Sequence, residues 1–388
     1  MKQFETLAIR TQVERTKQRE HSVPVYLTSS YVFDDAEQAR AIFADEESGN
    51  IYSRFTNPNT SELEEKISLL EQTEDAFSTA SGMAAVFASL APFLKAGDHI
   101  VSSGSVFGNT HKVISEVLPQ WNIDYTYADI RNPQSWESAI RPNTKALFVE
   151  TPSNPALDII DLTFLSDLAK NHGLLLIVDN CFATPYLQQP ARQGADLVVH
   201  SATKYIDGQG RVLGGIVAGK KELIHEVRTF AKRTGPALSP FNAWVLSKSL
   251  ETLAVRMDRH CENAEKITSF LESHSKVEKI IYPFHPSHPG EKIARQQMKK
   301  GGGLVGFEIR GGVNSGRKFL DALNMISLTA NLGDTRTIAT HPASTTHSKL
   351  STIEREKVYV TDGLIRISAG LEHADDIIED IEQALKKS

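Results

Sequence analysis

Beyond residue 60 the apolar positions of the chain keep two alternating rhythms. Leu63, Ile67 and Leu70 recur at helical spacing, and Ser61 followed by Glu64 fits a capping box, so the spacing predicts a helix starting near Ser61. Short, nearly continuous apolar runs at His99–Ser103, Ala146–Glu150, Leu174–Asp179, Leu197–Ser201 and Gly215–Ala218 read as strands buried on both faces. Helical stretches such as Leu162–Asn171 separate several of them. This alternation predicts an α/β fold with a mostly parallel sheet and helices on both faces. Around Ser239–His260 the pattern becomes one long helix, and a boundary is placed there. Strands at Val277–Ile281, Leu304–Ile309 and Leu364–Ser368 follow. The last helix, Ala374 to Lys387, carries an apolar stripe of Ile377, Ile378, Ile381 and Leu385; its acidic start and its Lys386-Lys387 end complement the helix dipole. Residues 1–60 keep no period: 10–21 are rich in charge, and Pro24, Gly49-Asn50 and Pro58 interrupt the rest. They read as an extended arm suited to a subunit contact, in competition with a frayed terminus. The expected organisation is an arm (1–60), a larger domain (61–255) and a smaller C-terminal α/β domain (256–388).

Composition narrows the class. A chain of 388 residues can bury a large core without staples. The net charge of -6 lacks the basic excess of a general nucleic-acid binder. Cys181 and Cys261 form neither a CxxC pair nor a zinc set and suit a reducing compartment. The polar N-terminus lacks an apolar signal core, and no apolar run reaches membrane-spanning length. The expectation is a soluble cytoplasmic protein of enzyme size, with no nucleic-acid or membrane partner.

Three segments carry candidate chemistry. The run Leu197–Tyr205 ends a buried strand at Ser201 and then delivers Thr203 and Lys204. Ligands of open α/β sheets bind beyond the carboxyl ends of strands. A partly desolvated lysine there is a phosphate clamp or a Schiff-base nucleophile, although most loop lysines are merely solvated. Asp179, also at a strand end, could pair with a protonated pyridine nitrogen, cap a helix or bind magnesium. In Thr79–Ala85 a glycine turn opens an Ala-rich helix whose free N–H groups could hold phosphate, or Ser81 could simply cap it.

Together these segments resemble the Cys/Met-metabolism family of pyridoxal phosphate (PLP)-dependent enzymes. The likeness extends over Tyr52–Arg54, Ala80–Met83, Thr151–Pro155, Val178–Pro185, Ser201–Tyr205, His341–Ser344 and Leu364–Ser368. It implies the PLP-dependent transferase fold of the aspartate-aminotransferase type, with residues 61–255 as the PLP-binding domain. It implies that Lys204 bears the cofactor and shuttles protons, and that Asp179 pairs with the pyridine nitrogen. Ser201, Thr203 and the backbone of Gly82 and Met83 would hold the phosphate. Tyr52 and Arg54 would reach that phosphate from a neighbouring subunit, which makes a dimer the minimum and a homotetramer the usual assembly. Arg366 would grip the substrate α-carboxylate; Asn154 would sit near the ring hydroxyl and the substrate, and Ser327 near Lys204 and the substrate.

Departures within the motifs point to a branch. Phe107 stands where many members stack a Tyr, so the ring can still stack but no phenol exchanges protons. Phe107-Gly108-Asn109 differs from the Tyr-Gly-Cys of methionine γ-lyases, and Ala330 occupies a position where cystathionine synthases and γ-lyases often carry Glu. Thr329–Asp334 and Thr340–His347 resemble the sulfhydrylases, and Gly208–Gly215 the O-succinylhomoserine sulfhydrylases. The implied reaction is γ-replacement, O-succinylhomoserine plus sulfide to homocysteine plus succinate, in methionine biosynthesis. Cystathionine γ-synthase is the next reading, then O-acetylhomoserine sulfhydrylase or a methionine or cystathionine γ-lyase. A PLP-fold binding protein without catalysis is disfavoured, because Lys204, Asp179 and Arg366 are all present. His285 and His288 fit a Pro-fixed loop, His341 is expected to pack or hydrogen-bond near the cofactor, and no metal is expected.

Overall fold

The structure, a computed structural model, describes residues 2–345, 348, 351, 355 and 358–388. Seven strands form the larger sheet: β1 (Asp75–Thr79), β2 (His99–Ser103), β3 (Asp124–Ala128), β4 (Thr144–Glu150), β5 (Leu175–Asp179), β6 (Leu197–Ser201) and β7 (Gly215–Gly219). Their order is β1-β7-β6-β5-β4-β2-β3. All neighbours from β6 to β3 are parallel, and only β7 runs antiparallel to both its neighbours. The near-continuous apolar sequences of β4, β5, β6 and β7 follow from burial on both faces, where no polar alternation is tolerated.

β8 (Val277–Ile281), β9 (Leu304–Ile309), β10 (Ser327–Leu328), β11 (Ile338–Thr340) and β12 (Leu364–Ser368) make a second sheet, ordered β10-β11-β12-β9-β8. Its core joins Phe307, Phe319, Ile365 and Ile367 to the apolar stripe of the helix Ala374–Lys387.

Four expectations need correction. The helix expected at Ser61 spans Pro58–Glu71, and its cap is Asn57, whose side chain accepts the Asn59 N–H. Asn before Pro at the first helical position is the stronger start signal. The long helix around Ser239–His260 is two helices, Pro240–Leu250 and Leu253–Glu272. The arm is not wholly extended, since it contains the helices Phe4–Arg10 and Ala36–Phe43. β1 was not anticipated because its sequence, DAFST, is largely polar; Glu64 makes its burial tolerable by accepting both the N–H and the hydroxyl of Ser78.

Register decides where the site lies. Glu150 of β4 is level with Asp179 of β5, and Asp179 with Val199 of β6. The carboxyl ends of three adjacent parallel strands therefore open on one face, at Glu150, Asp179 and, two residues further along, Ser201.

Candidate active site

Asp179 closes β5 at 7% exposure, and its Oδ1 accepts the Cys181 N–H at 3.0 Å. Burial pushes its carboxyl up to about 6, against the Cys181 N–H and the charge of His200, which pull it down. Beside it Glu150 is also buried; burial and then the neighbouring Asp179 hold its carboxyl well above the usual range.

Past β6 the chain turns tightly. The Lys204 N–H donates to Ser201 O at 3.2 Å and the Gly208 N–H to Lys204 O at 2.8 Å. This turn aims the Lys204 amine at Asn331, whose Oδ1 accepts it at 2.6 Å. Desolvation lowers the Lys204 pKa, so the neutral, nucleophilic amine is easier to reach. Arg256 secures the turn from behind: its guanidinium donates to Tyr205 O at 2.6 Å, and to Ile206 O and Ser249 O. It takes the last of these carbonyls at the break between the two helices that were expected to be one. Opposite, Gly333 (φ +72°) presses on the turn so closely that a Cβ there would lie 2.7 Å from the Tyr205 nitrogen.

The helix Gly82–Leu90 starts directly against the end of β6. Ser81 caps it by accepting the Ala84 N–H, which leaves the first-turn amides of Gly82 and Met83 beyond the reach of any helical carbonyl. A Cβ on Gly82 would lie 2.5 Å from that of Ser201. Glycine is thus required where helix and strand end meet, and the gap between them is lined by N–H groups and the Ser201 hydroxyl. The Thr203 hydroxyl donates to Gly214 O at 3.3 Å and accepts its N–H at 3.2 Å.

The second sheet brings Arg366, buried on β12. Its Nη1 donates to Asn154 Oδ1 at 2.8 Å, and among the described residues its buried Nε has no partner. Burial draws its pKa down to about 10 against the opposing pull of Tyr205 and Glu150. A buried guanidinium with a donor in hand is ready for a carboxylate. Phe107 stands 43% exposed before the helix Gly108–Lys112, and its N–H donates to Glu150 Oε2 at 2.7 Å.

Lys204, Asp179, Ser201, Thr203, Gly82, Met83, Asn154, Arg366 and Phe107 therefore share the carboxyl-end face of the large sheet and its border with the second. Tyr52 and Arg54 stand apart on the arm: Arg54 donates to Lys232 O and lies over the rings of Phe55 and Tyr52. Ser327 is a correction. It begins the edge strand β10, its N–H bonded to Thr337 O, and the side chain on Lys204 is that of Asn331. The glycine-bordered loop 331–333 carries Asn331 inward while the short β10 stays at the sheet edge. His341 bonds to Ser344 and to Asp362 O rather than to any of these residues. Thr346 and His347 of the motif Thr340–His347 lie outside the described residues. Glu150 was overlooked as a site residue, and Asn331, within the motif Thr329–Asp334, had no role assigned to it. Glu150 has the same signature as Asp179, an acid closing an apolar strand, and could have been found by it.

The residues present fit PLP: an amine of lowered pKa, a buried carboxylate, a glycine-lined gap with free amides, and a guanidinium with an unpaired donor. The chain belongs to the family of Cys/Met metabolism PLP-dependent enzymes, whose profile matches residues 5–386. It is 46% identical over 382 residues to an O-succinylhomoserine sulfhydrylase of Pseudomonas aeruginosa, covering 98% of this chain and 95% of that one. It is equally 46% identical, over 369 residues, to an L-methionine gamma-lyase of Fusobacterium nucleatum subsp. polymorphum (94% and 93%). A solved Campylobacter jejuni protein, described as an O-acetylhomoserine (thiol)-lyase and holding N'-pyridoxyl-lysine-5'-monophosphate, superposes with a TM-score of 0.96 at 36% identity, over 99% of this chain and 100% of that one. The protein is thus a PLP-dependent enzyme with the fold of the trans-sulfuration enzymes. No described helix is long and apolar enough to cross a membrane, and among the described residues no three His, Cys, Asp or Glu are grouped to hold a metal ion.

Proposed function

We propose that the chain catalyses γ-replacement on an activated homoserine ester, O-succinylhomoserine plus sulfide giving homocysteine plus succinate. The observation that carries this reading is the pairing at the heart of the site. The Lys204 amine is held by Asn331 at 2.6 Å, while the position beside Glu150 is a phenylalanine without a hydroxyl. Proton traffic at the substrate then falls to Lys204 alone. The 46% identity to a named O-succinylhomoserine sulfhydrylase supports the same branch.

Bound PLP supplies an electron sink conjugated to the substrate α-carbon. Lys204 bears it, then takes the α-proton and returns protons along the chain of carbons. Asp179 holds the pyridine nitrogen, and Ser201, Thr203 and the amides of Gly82 and Met83 hold the phosphate. Arg366, steadied by Asn154, binds the α-carboxylate as a fork. Asn331 keeps the freed Lys204 amine aimed inward. At the γ-carbon the C–O bond breaks, succinate leaves with the electron pair as a carboxylate, and hydrosulfide forms the new C–S bond to give the thiol. Tyr52 and Arg54, exposed on the arm, complete the phosphate site of a second subunit, so the working unit is at least a dimer, with a homotetramer expected. Two buried free cysteines fit a cytoplasmic setting.

The test offers the purified holoenzyme O-succinylhomoserine with sulfide, O-succinylhomoserine with cysteine, and methionine alone. Homocysteine as the fast product supports the proposal, whereas cystathionine moves the enzyme to the synthase reading. Release of a thiol and an α-keto acid from methionine favours the γ-lyase reading, which the Fusobacterium relative keeps in view.

A further inference from the structure

Directly behind Asp179 lies a fully buried polar layer that the reaction steps above do not use. His200, on β6 between Val199 and Ser201, reaches Glu71, the last residue of the helix Pro58–Glu71, with Nε2 2.5 Å from Oε1. The same oxygen accepts the Asn180 amide at 3.0 Å. Asn180 also donates to Gln188 O at 2.9 Å, and Gln188 Nε2 donates to Asn180 Oδ1 at 3.0 Å and to Thr151 O at 2.9 Å. Asn180 follows Asp179 and Thr151 follows Glu150, so the layer backs both strand-end carboxyls. Among the described residues the other nitrogen of His200, Nδ1, has no partner.

Three facts fix the charge such a layer wants. Asp179 and Glu150 already crowd two buried acids together, so a further unbalanced carboxylate at Glu71 would be costly. Glu71 also sits at a helix C-terminus, where the dipole opposes an anion and favours a cation. Of the other elements packed against β6, the helix Gly82–Leu90 and β7 carry no titratable side chain and the turn Pro190–Gln193 carries the exposed Arg192, so Glu71 and Asp179 are the buried charged groups His200 answers to.

We propose that His200, held by Glu71, is a positioning residue for the cofactor: as an imidazolium it keeps Asp179 ionised and so keeps the proton on the PLP ring nitrogen. The influence passes through space, as a charge, because the free Nδ1 makes no bond. The His200 charge is among the influences that lower the Asp179 carboxyl against its burial. The inference rests on Asp179 being the partner of the pyridine nitrogen.

The test reconstitutes the enzyme with PLP labelled with ¹⁵N in the ring and compares wild type, Asp179→Ala and His200→Gln; the glutamine keeps an N–H toward Glu71 without the charge. In the wild type the ring nitrogen is protonated, and in Asp179→Ala it is not. In His200→Gln we expect the ring signal to move toward the neutral form and α-proton exchange of a bound amino acid to slow about tenfold, the equivalent of one pKa unit. An unchanged ring signal in His200→Gln, with Asp179→Ala altered, overturns the inference and leaves the Asp179 reading standing. An unchanged signal in Asp179→Ala overturns both. If His200→Gln does not fold, wild-type holoenzyme with ¹⁵N-labelled histidine decides instead: a buried imidazolium at neutral pH upholds the proposal, and a neutral imidazole defeats it.

Discussion

The end of the large sheet and the N-terminal arm are built on opposite terms. At the sheet end Asp179, Lys204 and Arg366 are held by the rest of the fold. Asp179 is tied by a backbone N–H, Lys204 by Asn331 and by the Arg256 clamp on its turn, and Arg366 by Asn154. On the arm Val32 is 98% exposed, and Leu27, Phe43 and Tyr52 also face outward. Among the described residues Arg54 finds a carbonyl and nearby rings. A chain does not leave such apolar groups uncovered without consequence. The difference teaches that one chain organises on its own the side chains proposed for proton transfer and carboxylate binding. The phosphate contacts proposed for Tyr52 and Arg54 await another subunit.

The comparison breaks most visibly at Lys204. Lys204→Ala should lower turnover of O-succinylhomoserine with sulfide by about 10⁴-fold and remove the absorption of covalently held cofactor, since nucleophile and proton carrier are lost together. Next comes Arg366→Lys, which exchanges a fork for a point charge. A loss of roughly 10- to 100-fold in kcat/KM, carried mainly by KM, is expected in steady-state assays; a change in kcat alone would remove Arg366 from carboxylate binding.

The arm is tested by mixing. Arg54→Ala and Lys204→Ala, each weak alone, should recover up to about a quarter of wild-type activity when refolded together, because only mixed dimers rebuild one intact site. No recovery would mean that Arg54 serves the site of its own chain. Asn331→Ala should cost about fivefold in kcat, the worth of one hydrogen bond that aims an amine, and should leave cofactor content unchanged.

A last effect, on stability rather than turnover, concerns Asp179 in the cofactor-free enzyme. Its carboxyl titrates at about 6 when folded, above its usual 3.8. The folded form therefore carries a penalty above pH 6 that disappears as the pH falls from 6 toward 4. Apo Asp179→Asn should melt higher than apo wild type at pH 8, by about 3 kcal/mol at most, and the two curves should converge near pH 4. PLP should reverse the order, because the wild type alone gains the pyridinium contact.

Much of this was legible in the residues. Lys204, Asp179 and Ser201 each close or follow a short apolar run, and that local pattern places them at strand ends before any packing is known. The closing helix and eight of the strands follow from period in the same way. What failed was also local in origin. Asn57-Pro58 outweighed Ser61 as a helix start, and the largely polar β1 hid a strand whose burial depends on Glu64, 14 residues away.

The sequence by itself determined the α/β architecture, because periodicity, turns and strand ends are set by neighbours along the chain, and its motifs carried the resemblance to the family, from which Lys204 is proposed to bear the cofactor. Only the tertiary structure decided which distant groups meet: Asn331 on Lys204 across 127 positions, Arg366 on Asn154 across 212, His200 on Glu71 across 129, and Glu150 level with Asp179. Those pairings depend on sheet order, on register and on how the second sheet packs against the first. Burial then removes water and gives each meeting its electrostatic weight.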